Sequence, residues 1–144
     1  MTRKPSPETT SAYARLMRAQ QCVLAAVESD LKAAGFPPLA WYDALLELSR
    51  ADDGMLRPVE LEKQMLLPQY STSRLIDRLV EAELVERRTC PLDGRGQYVV
   101  ITPSGRNLQK KMWDTYAASI ERHVGSKLSN KDAVNLSDLL GRLS

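Results

Sequence analysis

Apolar residues recur along most of this chain at three- and four-residue steps, the period of helices with one buried face. The first such run holds Tyr13, Leu16, Met17, Val23, Leu24, Val27 and Leu31. Ser6 suits its cap, Pro7 its first position and Glu8 its first turn. Gly35 ends it and Phe36-Pro37-Pro38 prevents continuation, so a helix is predicted to about Ala34. Nearly seven turns are too many for one small domain to cover, and the surplus apolar surface argues for a partner helix. A second helix is predicted from about Pro38 to Arg50 with Leu39, Trp41, Tyr42, Leu45, Leu46 and Leu48, then a turn at Asp52-Asp53-Gly54. A short third helix runs from Pro58 to about Met65. In the fourth, Leu75, Ile76, Leu79, Val80 and Ala82 form the apolar face, opposite Gln69, Ser71, Thr72, Ser73, Arg74, Asp77, Arg78 and Glu81. About fifteen residues of that helix would span roughly 22 Å.

The pattern then changes. Val85 opens a strand, and Tyr98-Val99-Val100-Ile101 is β-branched and aromatic. Between them, Pro91 to Gly96 carries two glycines, a proline and an aspartate, residues of a tight turn. Helical spacing returns after Thr102 with Leu108, Met112, Tyr116, Ile120 and Val124. It returns again after Ser129-Asn130-Lys131-Asp132, a capping box with Asp in place of Glu, along Val134, Leu136, Leu139, Leu140 and Leu143. The fold class is therefore mainly α with a small β-hairpin: a winged helix-turn-helix at 35–102, flanked by an N-terminal tail and helix at 1–34 and C-terminal helices at 103–144, one structural domain overall.

Composition narrows the function. The 144 residues suffice for one core and are few for two, and the net charge of +2 excludes a uniformly basic nucleic-acid coat. Any basic footprint must come from clustering, and Arg74, Arg78, Arg87, Arg88 and Arg95 do fall within 22 residues. No apolar run approaches the ~20 residues of a membrane span. Two cysteines make no disulfide framework, so the simplest reading is a cytoplasmic protein with free thiols. Catalysis is not expected. The single histidine, His123, follows Glu121 and Arg122 on what reads as a solvated helix face. No Cys/His cluster has metal-ligand spacing, no glycine loop cradles phosphate and no nucleophile sits in an elbow. No cofactor is expected either.

Several motifs resemble the MarR family of bacterial transcription regulators in order and spacing: Arg74-Leu-Ile-Asp-Arg-Leu79, Ala82 to Arg88, Asp93-x-Arg95-Gly96 and Ile101-Thr-Pro-Ser-Gly-Arg106. The resemblance implies a homodimer, a repressor by function, on double-stranded DNA, with its first, fifth and sixth helices interleaved with a partner's. Two recognition helices about 34 Å apart would read a pseudo-palindrome. Gln69, Ser71, Thr72, Ser73, Arg74 and Arg78 would face the major groove, with Arg88 reaching DNA from the hairpin. By resemblance, Asp93 braces the wing and Arg95 enters the minor groove, where A·T-rich stretches favour cations. Arg106 is a candidate phosphate contact. The chain departs from the family at Leu66, where a small residue is common, and at Pro68, where an N-cap serine is common. Ser71 or Gln69 would have to substitute, which leaves the start of the recognition helix open.

Family members bind small aromatic or anionic effectors beside the dimerisation helices, and Tyr13, Arg15, Trp41 and Tyr42 are the candidates here, with Arg18 an alternative to Arg15. Two other readings stay open. One is a redox-sensing regulator using Cys22 or Cys90, although Cys22 does not fall at the family's usual sensor position. The other is a winged-helix interaction scaffold that no longer binds DNA.

Overall fold

The computed structural model describes residues 2–89 and 96–144. Its helices are α1 (Pro7–Ala33), α2 (Leu39–Arg50), α3 (Pro58–Gln64), α4 (Thr72–Glu81), α5 (Pro103–His123) and α6 (Asn130–Gly141), and its strands are β1 (Met55–Leu56), β2 (Val85–Thr89) and β3 (Gln97–Ile101). Helix ends follow local chemistry. Ser6 Oγ accepts from the Thr9 N–H at 3.1 Å to open α1. At its other end the Gly35 N–H returns to the Lys32 carbonyl and the Phe36 N–H to Leu31. This closing motif requires the positive φ of +80° that glycine adopts freely. Ser129 and Asp132 form the predicted capping box of α6. Helix α2 begins after Pro38, which offers no side-chain cap, and its Leu39 N–H donates instead to Glu28 Oε1 of α1 at 2.6 Å.

The hairpin is part of a three-stranded antiparallel sheet, β1-β3-β2. Met55 pairs with Val100 and Leu56 with Val99, while Val85 pairs with Ile101 and Arg88 with Tyr98. Two apolar clusters share α2. Ala44, Leu45 and Leu48 join Leu61, Leu75, Ile76, Leu79, Val85 and Val99 in the winged core. Leu39 and Tyr42, on the opposite side of α2, join Val27, Leu31 and Met112. Helix α5 is pinned to the base of the wing. Thr102 Oγ1 accepts from the Gly105 N–H at 3.0 Å and donates to the Glu83 carbonyl at 2.8 Å, and the Thr102 N–H donates to Leu84. A Cβ on Gly105 would lie 2.2 Å from the Leu84 carbonyl oxygen, so only glycine fits that crossing.

Two expectations need correction. The fourth helix is ten residues, about 15 Å, not fifteen. Pro68 disfavours helix at Leu67, and Ser71, with φ −148° and ψ 109°, is the cap. His123 is not on a solvated face. It is half-buried, its Nε2 2.9 Å from Asp30 Oδ2 of α1, an oxygen that also accepts from Ser119 Oγ at 2.6 Å and Arg122 Nη1 at 3.1 Å. Donation from Ser119 and then from His123 holds the Asp30 carboxyl below its usual range, with the charges of Arg122 and His123 adding to it against some desolvation. The folded form therefore binds fewer protons than the unfolded chain near pH 4. Stability from this cluster is present above the ordinary aspartate pKa of about 3.9 and is lost as pH falls through the depressed value. Urea melts from pH 6 to pH 3 should show a steeper acid decline for the parent than for Asp30→Asn, which is less stable at pH 6. Parallel declines would remove Asp30 from the account.

Helix α6 buries none of its residues within the chain, and Val134, Leu136, Leu139, Leu140 and Leu143 are exposed. Tyr13 and Met17 on the first half of α1 are exposed too. The apolar surplus expected of the terminal helices is present.

Candidate nucleic-acid interface

Leu75, Ile76 and Leu79 seat α4 on the winged core, which turns Ser73, Arg74, Asp77, Arg78 and Glu81 outward. Ser71 Oγ accepts from the Arg74 N–H at 3.2 Å, so the hydroxyl that opens the helix also orients its first exposed arginine. Thr72, expected on the polar face, is 8% exposed and turned inward. Its Oγ1 is buried without a partner among the described residues. The reason is the cap itself: a helix that starts at residue 72 places Thr72 within the i, i+3, i+4 stripe with Leu75 and Ile76. Gln69 is half-buried ahead of the helix, its Nε2 donating to the carbonyls of Leu67 at 3.3 Å and Pro68 at 3.2 Å. Tyr70, which periodicity did not single out, is 100% exposed immediately before the cap. Its position beside an N-cap serine is the signal that could have found it.

Strand β2 lies against this helix. Arg87 is ion-paired with Asp77 of α4, which binds the strand to the outward face. Arg88, its neighbour, is exposed and 3.7 Å from Glu86 Oε2, a contact weak enough at the surface to yield to a competing anion. Residues alternate across a strand, and the pairing of Arg87 leaves Arg88 as the more available cation of the two. Arg57, at the start of α3, stacks its guanidinium 5.2 Å from the centre of the Tyr98 ring, joining helix to sheet. Asp93, Arg95 and Cys90 lie outside the described residues. Arg106 is exposed at the start of α5.

A second feature sits behind the interface. Tyr42 stacks on Trp113 with ring centres 6.2 Å apart and 18° between planes, and meets Tyr116 edge-on at 5.1 Å. The rings border two adjoining clefts. One, of about 380 Å³, is lined by Leu39, Tyr42, Leu46, Met65, Leu67 and Tyr116 among others. The other, of about 390 Å³, is lined by Tyr42, Gln109, Trp113 and Tyr116 among others. Desolvation, followed by the charges of Tyr42 and Asp43, raises the Tyr116 phenol above its ordinary value, so it is a neutral hydrogen-bonding group at pH 7.

Of the four residues expected to share a ligand cleft, only Tyr42 lines this one. Trp41 is one position along the helix and packs on the winged core instead, while Tyr13 and Arg15 stand exposed on the distal half of α1. Trp113 and Tyr116 were missed because their partner lies some seventy residues away. Their i, i+3 spacing on one helix was the available signal. Cys22 is an exposed free thiol. Among the described residues no group of His, Cys, Asp or Glu is placed to hold a metal, and no helix is long and apolar enough to cross a membrane.

Comparison with known proteins gives a consistent result. A family model described as MarR family matches residues 34–96. The multiple antibiotic resistance protein MarR of Salmonella typhimurium is 27% identical over 90 residues, 62% of this chain and 62% of that protein. The match thus spans less than two thirds of that relative's length. Over nearly the whole chain, the crystal structure of AbsC, a MarR family transcriptional regulator from Streptomyces coelicolor, is 27% identical. It superposes with a TM-score of 0.83, covering 99% of this chain and 95% of that one. Sco3205 from the same organism, a MarR family transcriptional regulator solved in complex with DNA, shares the fold at a TM-score of 0.89 and 20% identity, covering 99% and 89%. With its capped outward helix, basic strand, three-stranded sheet and long terminal helices, the chain resembles the MarR family, in sequence over residues 34–96 and in fold over nearly its whole length.

Proposed function

We propose that this protein is a sequence-specific DNA-binding transcription regulator, a repressor that acts as a homodimer in the cytoplasm on a pseudo-palindromic site. It carries out no catalysis and needs no cofactor. The observation that carries the reading is the outward face of α4. Ser73, Arg74 and Arg78 are exposed on a helix whose other side is anchored by Leu75, Ile76 and Leu79. A helix of that width fits the major groove, where arginine can donate two hydrogen bonds to O6 and N7 of guanine. Residues 35–102 supply the interface, and the flanking segments 1–34 and 103–144 supply the surface that pairs two copies. Arg88 on β2, with Arg95 and Asp93 further along the chain, extends contact beyond the groove that α4 fills.

The aromatic cleft supports regulated release. A planar aromatic ligand in the cleft bordered by Tyr42 and Tyr116 would touch Met65 and Leu67, at the turn that leads into α4. A ligand with higher affinity for a misplaced turn would lower DNA affinity by that difference. Selection of duplexes from a random pool tests the main reading. Two half-sites one helical turn apart are expected, with affinity for the selected duplex falling steeply with salt. Absence of enrichment, or binding indifferent to salt, would refute it.

A further inference from the structure

Asp43 stands one helical turn beyond Leu39 on the apolar side of α2 and is 5% exposed. A carboxylate is expensive at such a place unless its oxygens are hydrogen-bonded. Both are. Oδ1 accepts from the Leu66 N–H at 3.0 Å and Oδ2 from the Leu67 N–H at 2.7 Å. Those amides come from the turn between α3 and α4, 23 and 24 residues along the chain. They need such a partner because α3 has already ended. The Met65 N–H closes back on the Leu61 carbonyl, and Met65 itself is extended at φ −62° and ψ 138°. Pro68 then has no N–H to offer. A single side chain on α2 thus satisfies the consecutive free donors of the turn.

We infer that Asp43 is a positioning residue for DNA recognition: by clamping Leu66 and Leu67 to α2 it sets the angle at which α4 is presented. This inference rests on the DNA-binding reading above. Asp43 touches no nucleic acid in that scheme and acts through the turn, four residues before the Ser71 cap. A short segment held at Leu67 cannot shift without carrying Ser71 and Arg74 with it. The clamp also borders the cleft of about 380 Å³, which Asp43, Leu66 and Leu67 line together with Tyr42 and Tyr116. A molecule seated there rests against the element that sets the reading angle.

The test compares the parent full-length chain with Asp43→Asn, which keeps the shape but turns an amide N–H₂ toward one of the two backbone donors. Affinity is measured for the duplex selected from the random pool and for a scrambled duplex of equal length. Amide hydrogen exchange is followed by NMR without DNA. The preference for selected over scrambled duplex should fall about 10- to 100-fold, as for loss of a hydrogen bond to a charged group. Affinity for the scrambled duplex should stay within about twofold, because phosphate contacts tolerate a tilted helix. The Leu66 and Leu67 amides should exchange faster while those of α5 do not.

An unchanged preference with faster exchange at Leu66 and Leu67 would overturn the inference, as would equal losses on both duplexes. A parent chain that prefers no duplex would instead refute the proposed function, with the exchange data still reporting the clamp. Should the asparagine variant fail to fold, Asp43→Ser, which keeps one accepting oxygen, is read the same way.

Discussion

Replacing Leu136 and Leu139 with glutamate is expected to turn the protein into a monomer that no longer holds its DNA site. Both leucines are exposed on α6, which buries nothing within its own chain. Full burial of a leucine contributes about 1.5–3 kcal/mol, and a dimer would lose four of them. Each would also be replaced by a charge with no partner in an apolar setting. Dimer association should therefore weaken by several orders of magnitude, read by sedimentation equilibrium across micromolar concentrations. Because each half-site contributes separately, a lone chain binds far more weakly than two held in register. Affinity for the selected duplex should fall at least about 100-fold, into the range of non-specific binding. The winged core includes no residue of α6, so the variant should keep its helical circular dichroism. A double variant that stays dimeric would refute α6 as part of the pairing surface. One that is monomeric yet binds at full affinity would refute the symmetric arrangement.

Arg74→Ala is the second large effect. The side chain is exposed one turn into α4, with its own backbone N–H fixed by Ser71 Oγ at 3.2 Å. In the proposed reading this side chain meets a base edge, and its removal should then cost about 1–3 kcal/mol at one base pair. That corresponds to roughly 5- to 150-fold, with discrimination relaxed at the same position. Competition against duplexes carrying single base changes measures this directly. A uniform loss across all duplexes, with the salt dependence reduced by about one ion, would reassign Arg74 to phosphate.

The sequence revealed the order of helices and their partners in kind, and it failed where a decision rested on distant residues. Periodicity and capping were sufficient for α1, α2 and α6, because Ser6, Gly35, Ser129 and Asp132 act within one turn of where they stand. They were insufficient for α4. Pro68 removed the familiar cap, and whether Gln69 or Ser71 took over depended on how the turn was held. That turn is held by Asp43, which the apolar periodicity of α2 does not single out. An acidic side chain at an apolar helix position was the legible clue, but its partners are backbone amides, which no side-chain pattern encodes. The same limit hid β1, two residues long, whose strand character comes from pairing with Val99 and Val100. It also hid Asp30 beneath His123, and Trp113 and Tyr116 beside Tyr42. The choice of Arg88 over Arg87 rests in the sequence on its place farther along the strand, and the pairing of Arg87 with Asp77 adds a second reason.

The seat of Gly105 against Leu84 has a mechanical consequence. Thr102 grips the carbonyls of Glu83 and Leu84, and the missing side chain lets two backbones touch, so α5 and the foot of the wing move as one rigid lever. Any swing of the reading head must then carry the first turns of α5 with it, and so passes into the terminal helices through α5 as well as through the joint at Gly35 to Pro38, where the Leu39 N–H meets Glu28.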